Sequence, residues 1–112
     1  MVVNHATYRI VEYIIMSRRT RNEAKAILQS ELNKYRHKSF ESLRKLMEDL
    51  DAYEVRGPSG TLYQLEVQAM WDNKPGGNLR VMAGIDDGGF FSALAPLTDS
   101  FILTPDGEFL GE

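Results

Sequence analysis

The sequence predicts an α+β domain: two N-terminal helices packed on a five- or six-stranded antiparallel β-meander. Three observations carry this. Apolar residues recur every three or four positions between residues 20 and 50, the period changes to two after Ala52, and turn-forming clusters punctuate the second half. With 112 residues, 43% of them hydrophobic, the chain suits one domain that buries its own core. It contains no Cys, which removes disulfide frameworks, thiolate metal sites and cysteine nucleophiles together.

The stretch Thr7 to Met16 is rich in Tyr, Ile and Val and shows neither period cleanly, so it reads as a strand only by composition. Residues 1–15 read either as an N-terminal extension outside the fold or as an extra strand or helix packed on it. The domain proper then covers residues 16–112. Thr20 and Glu23 have the spacing of a capping box, which predicts a helix from about 20 to 36. Its stripe is Ala24, Ile27, Leu28, Leu32 and Tyr35, with Lys25, Gln29, Asn33 and Arg36 facing away. Ser39 caps a second helix whose stripe is Phe40, Leu43, Leu46, Met47 and Leu50.

Tyr53 and Val55 then lead into the turn Gly57-Pro58-Ser59-Gly60. Tyr63, Leu65, Val67, Ala69 and Trp71 alternate with Gln64, Glu66, Gln68 and Asp72, which predicts one buried and one wetter face. After a turn over Asn73 to Gly77, Leu79, Val81, Ala83 and Ile85 form the next inward set. Pairing Trp71 with Leu79 keeps both sets on one face and places Arg80 diagonal to Asp72, within reach of an ion pair. Asp86-Asp87-Gly88-Gly89 turns the chain again. Phe91, Ala93, Ala95 and Leu97 continue the inward face, and Phe101 to Leu110 closes with a hairpin through Thr104-Pro105-Asp106-Gly107.

Leu62, Met70, Met82, Phe90 and Leu94 carry the parity of the polar face, so something should cover part of it. The helix pair, the N-terminal segment and a second copy are the candidates. The helical stripes need a sheet face, which makes cover from within the chain the first expectation. Met70, Met82, Phe90 and Leu94 are the candidate interaction surface.

The net charge of −3 hides a division. Residues 1–45 hold ten Lys or Arg against four Glu, a net of +6, and residues 46–112 hold three against twelve acids, a net of −9. Arg18, Arg19, Arg21 and Lys25 head the basic segment and suit phosphate neutralisation. The segment lacks a helix-turn-helix recognition pair, and the strands lack the aromatic pattern of an RNA-recognition sheet. Basic helices on an acidic sheet, or two copies paired by the same complementarity, account for the division more simply.

Asp72, Asp86, Asp87 and Asp99 fall at strand ends or turns, where carboxylates can gather around magnesium or calcium. Asp-Gly is also what a tight hairpin requires, and the alternating acids of a calcium loop are missing. His5 and His37 assemble no triad with Thr98, Ser92 or Ser100. Gly57 to Gly60 and Pro75 to Gly77 are hairpin turns rather than phosphate loops. Trp71 shares parity with Leu65 and Val67 and reads as a core indole. No motif implies a cofactor.

The series Gly60 to Glu66, Trp71 to Gly77, Arg80-Val81, Ile85 to Gly89 and Pro96 to Asp99 resembles a group of small bacterial proteins of no assigned activity, over residues 17–112. The resemblance implies a bacterial cytoplasmic protein and supplies no catalytic residues. No apolar run approaches a membrane-spanning length, and the first residues lack the marks of a secretory signal, so the cytoplasm is the default compartment. The expectation is a non-enzymatic binding or interaction module that self-associates through the sheet face or its edge. Nucleic-acid binding by the basic helices and metal-assisted catalysis by the strand-end aspartates are the alternatives.

Overall fold

A computed structural model describes residues 5–89 and 96–111, with side chains from residue 19 onward. Helix α1 spans His5–Tyr35 and helix α2 spans Phe40–Arg44, followed by a single 3-10 turn over Lys45–Met47. The strands are β1 Asp51–Arg56, β2 Leu62–Trp71, β3 Leu79–Asp86, β4 Leu97–Leu103 and β5 Phe109–Leu110. They form one antiparallel sheet in chain order, β1-β2-β3-β4-β5. This is the α+β meander, with five strands among the described residues. Phe90, Phe91, Ala93, Leu94 and Ala95 lie outside those residues.

Helix α1 begins at His5, well ahead of the start that Thr20 and Glu23 predict, and Thr7 to Met16 is helical rather than extended. Two physical facts explain the correction. No Gly or Pro occurs before Gly57, and extending an existing helix adds one hydrogen bond per residue fixed. At 31 residues α1 is about 46 Å long. The molecule measures 63 × 27 × 26 Å, and only α1 is long enough to set the first dimension.

Pairing is as the alternation requires, with Trp71 opposite Leu79, Val67 opposite Ala83 and Val81 opposite Phe101. The buried hydrophobic side chains of the sheet all carry odd numbers, from Tyr63 to Leu103. Ala24, Leu28, Leu32 and Tyr35 of α1 and Leu43 and Leu46 after it complete this one core. The helix pair therefore occupies the odd, apolar face of the sheet, and of the candidates to cover the mixed even face it is not the one that does. Burying sixteen side chains in a single cluster leaves no helical stripe for the other side.

Ser39 caps α2, its hydroxyl accepting from Ser42 N–H at 3.1 Å. Met47 and Leu50, predicted on the inward stripe, are 37% and 42% exposed. The tighter 3-10 turn rotates Met47 off the α-helical stripe, and the helical backbone ends before Leu50 is reached.

Glu23 closes no capping box, because the helix does not start beside it. Its carboxylate instead accepts from Tyr63 OH at 2.9 Å, Ser59 Oγ–H at 2.7 Å and Ser59 N–H at 3.1 Å. One helical side chain thus clamps the β1–β2 turn and the first residues of β2. Gly57 is buried under the clamp, where an added Cβ would overlap the Glu23 carboxylate and the Tyr63 ring. A second latch joins the other end of α1 to β1: Tyr35 OH donates to Asp51 Oδ2 at 2.7 Å. Burial, then the Asp51 carboxylate, raises the Tyr35 phenol well above its ordinary value. Burial, then Glu23, pushes Tyr63 up to about 12, so both phenols remain donors throughout the physiological range.

Two outcomes follow from the clamp. Gly57→Ala lowers stability by about 1–3 kcal/mol, the usual cost of overpacking, measured as a shift in the urea midpoint. The Ser59 hydroxyl bond holds the Glu23 carboxyl below its ordinary range, against partial burial and with help from Tyr63. A carboxyl lowered in the folded state contributes stability above its unfolded pKa and loses it as pH falls through the folded one. Glu23→Gln should therefore be less stable than wild type at neutral pH, with the difference shrinking on acidification, in urea midpoints followed against pH.

Candidate functional site

Because both helices take the odd face, no helix lies on the even face of the sheet among the described residues. Alternation along the strands places Ala52, Glu54 and Arg56 of β1, Leu62 to Met70 of β2, Arg80 to Asp86 of β3 and Thr98 to Ile102 of β4 there, with Leu110 opposite Ile102. At one end the register lines up Met70, Arg80, Ile102 and Leu110 across four strands, with Met82 one step along β3. Met70 and Leu110 are each 41% exposed, while Met82 and Ile102 are half-buried.

Arg80 crosses this strip and is held flat over it. Its Nε and Nη2 donate to Asp72 Oδ1 at 3.0 and 2.8 Å, and its Nη1 donates to Ser100 Oγ at 3.0 Å. The ion pair that the Trp71–Leu79 register implied is therefore present, and it ties β2, β3 and β4 together on the open side. The strip unites Met70 and Met82 from the sequence-derived surface. Phe90 and Leu94, the other half of that surface, lie outside the described residues. Ile102 and Leu110 were missed, although the parity of the last hairpin carried the signal.

The aspartates do not converge. Asp72 stands beside Asn78 at one end of β3, and Asp86 closes the other end, about 24 Å away for an eight-residue strand. Asp86 Oδ1 and Asp87 Oδ1 accept from Gly88 N–H at 2.8 Å and Gly89 N–H at 2.9 Å, which is turn chemistry. Asp99 accepts from its neighbour Ser100 N–H at 2.8 Å and lies on the helix side, opposite Ala83. No group of three or more His, Asp or Glu able to hold a metal occurs among the described residues.

Asp99 instead helps line a groove of about 500 Å³ between α1 and β4, with Gln29, Ser30, Leu32, Asn33 and Arg36. The Arg36 guanidinium lies over the Phe101 ring at 5.2 Å. The groove contains hydrogen-bonding groups and no nucleophile–base pair. His37 is exposed in the connection after α1, and His5 opens α1, far along the chain. Trp71 is half-buried against Phe40, ring centroids 6.5 Å apart, as a core indole should be.

Arg19, Arg21 and Lys25 are exposed on α1, away from the core stripe, and Arg18 sits beside them in the helix. No helix among the described residues is long and apolar enough to cross a membrane. Comparison with protein-family models, with curated proteins and with solved structures found no match.

The Asp72–Arg80 pair generates one measurable expectation. Its side chains are 21% and 36% exposed, so solvent screens it substantially. Asp72→Asn should cost no more than about 1 kcal/mol in urea denaturation. In NMR spectra the Arg80 Nε–H resonance should lose its downfield, slowly exchanging character.

Proposed function

We propose that this chain is a non-enzymatic interaction module that self-associates through its sheet, either by the side left bare by α1 and α2 or by an edge. The observation that carries the reading is the one-sidedness of the core. Met70 and Leu110 stay exposed at one end of the even face, while the odd face carries the buried core. Soluble monomers seldom leave apolar side chains grouped on an open sheet, whereas interacting surfaces do so by necessity.

The charge division supports the same reading. Arg19, Arg21 and Lys25 are exposed on α1, while Glu54 and Glu66 are exposed on the open face, so a second copy finds complementary potentials on one surface or another. The first half of α1 adds to this. By sequence, the stretch Ala6 to Met16 is mostly apolar, a composition that favours a partner.

Sedimentation equilibrium on the full chain, from micromolar to millimolar, tests the proposal. The weight-average mass should rise from monomer toward dimer with concentration, and a short DNA duplex added at low salt should leave it unchanged. A monomer at the highest concentration, in both low and high salt, would sink the reading.

A further inference from the structure

We infer that two copies join edge to edge along β1, antiparallel about a two-fold axis at Val55, so that their two sheets become one. This rests on the self-association proposed above and names the surface that performs it. Strand β1 is the outermost strand of the sheet. The phase of its backbone follows from its pairing. Gly57 N–H donates to Thr61 C=O at 2.8 Å, and Val55, Tyr53 and Asp51 follow at intervals of two opposite Tyr63, Leu65 and Val67. In an antiparallel ladder those residues turn their amides and carbonyls toward β2, so Ala52, Glu54 and Arg56 present theirs outward. The outward row is what a further strand would pair with.

Charge complementarity selects a second copy as that strand. Residues directly opposite in an antiparallel pair share a face, so only registers that set even positions against even positions keep the faces aligned. With the axis at Val55, Glu54 stands opposite Arg56 of the second copy, and Arg56 opposite its Glu54. Both are hydrogen-bonded backbone pairs, giving four new ladder bonds with a cross-strand ion pair on each. Moving the axis to Glu54 or to Arg56 sets like charges face to face, and moving it to Tyr53 sets Glu54 against Ala52. The Val55 register alone satisfies the charges.

Both side chains have capacity to spare. Glu54 Oε1 accepts from Gln64 Nε2 at 3.3 Å, leaving its other oxygen, and Arg56 gives one N–H to Gly60 C=O at 2.8 Å, leaving four. Neither has an ion-pair partner among the described residues. On the helix side the two Val55 side chains meet in a close, non-hydrogen-bonded pair, flanked by half-buried Tyr53. Charged residues on an edge strand ordinarily discourage stray pairing. Here their order repels most strands and accommodates a copy of itself. The overlap runs only from Tyr53 to Gly57, so the association is weak and calls for high protein concentration.

Charge reversal tests the register. Glu54→Arg and Arg56→Glu each create two like-charge contacts and should weaken self-association at least about tenfold in sedimentation equilibrium at low salt. An equimolar mixture of the two variants restores opposite charges at both contacts and should dimerise as wild type does. Met70→Glu, at the far end of the open face, should leave the dimer intact, and thermal melting of each variant confirms folding. If both reversed variants associate like wild type, or their mixture stays monomeric, or Met70→Glu dissolves the dimer, the β1 junction is overturned while self-association stands. A wild-type chain that is monomeric throughout would remove both.

Discussion

A meander with helices on a single side has to keep every strand in register, because a slip of one residue would exchange its buried and exposed faces. Here that constraint runs through the whole sheet: Val55, Tyr63 and Ile85 share one side with Leu97, and Glu54, Gln64 and Asp86 share the other. Tight turns at Gly57 to Gly60 and Asn73 to Gly77 hold the register at alternate ends of β2. The core, the open face and the availability of the β1 edge all follow from it. Given the odd set inward, α1 has a floor to lie on, and the even set has no choice but to face outward.

Polar atoms decide where on that floor α1 lies. Apolar burial is nondirectional, so Leu28 and Leu32 alone would tolerate sliding along the sheet. The Glu23 clamp at the β1–β2 turn and the Tyr35–Asp51 bond at the start of β1 pin the helix at two points. Each uses a phenol that burial and a neighbouring carboxylate keep protonated, so the donors persist across the ordinary pH range. The distance between the latches along α1, from Glu23 to Tyr35, is about 18 Å, enough to fix direction as well as position.

The charge division has a different role. Lys34–Glu31 and Arg44–Glu41 are neighbours one helical turn apart, and Arg80–Asp72 bridges adjacent strands. Each of these pairs stays within its own layer, while the Arg36 guanidinium of α1 reaches across to the Phe101 ring of the sheet. Exposed Arg19, Arg21 and Lys25 on α1 and Glu54 and Glu66 on the sheet display opposite charges at the surface, where they act on encounter and orientation.

The alternation from Tyr63 to Ile85 was legible in the sequence down to the Trp71–Leu79 pair and the Asp72–Arg80 contact, because a period of two leaves one register that hides the apolar set. The Ser39 cap and the last hairpin were legible for the same local reasons. The start of α1 was not, since helix propagation past Thr20 depends on cooperativity rather than on any residue's preference. Nor was the partner of Glu23: its capping-box spacing was genuine, but Ser59 and Tyr63 reach it only after thirty-six to forty residues of chain have folded back. That the helices lie on the odd face was legible, because the alternation puts the apolar set there, whereas where the aspartates end up is settled by packing. Periodicity along the chain assigns each element its buried and exposed faces, whereas the contacts made between them, such as Glu23 with Ser59 and Tyr63, arise only on packing, because they join surfaces distant along the chain.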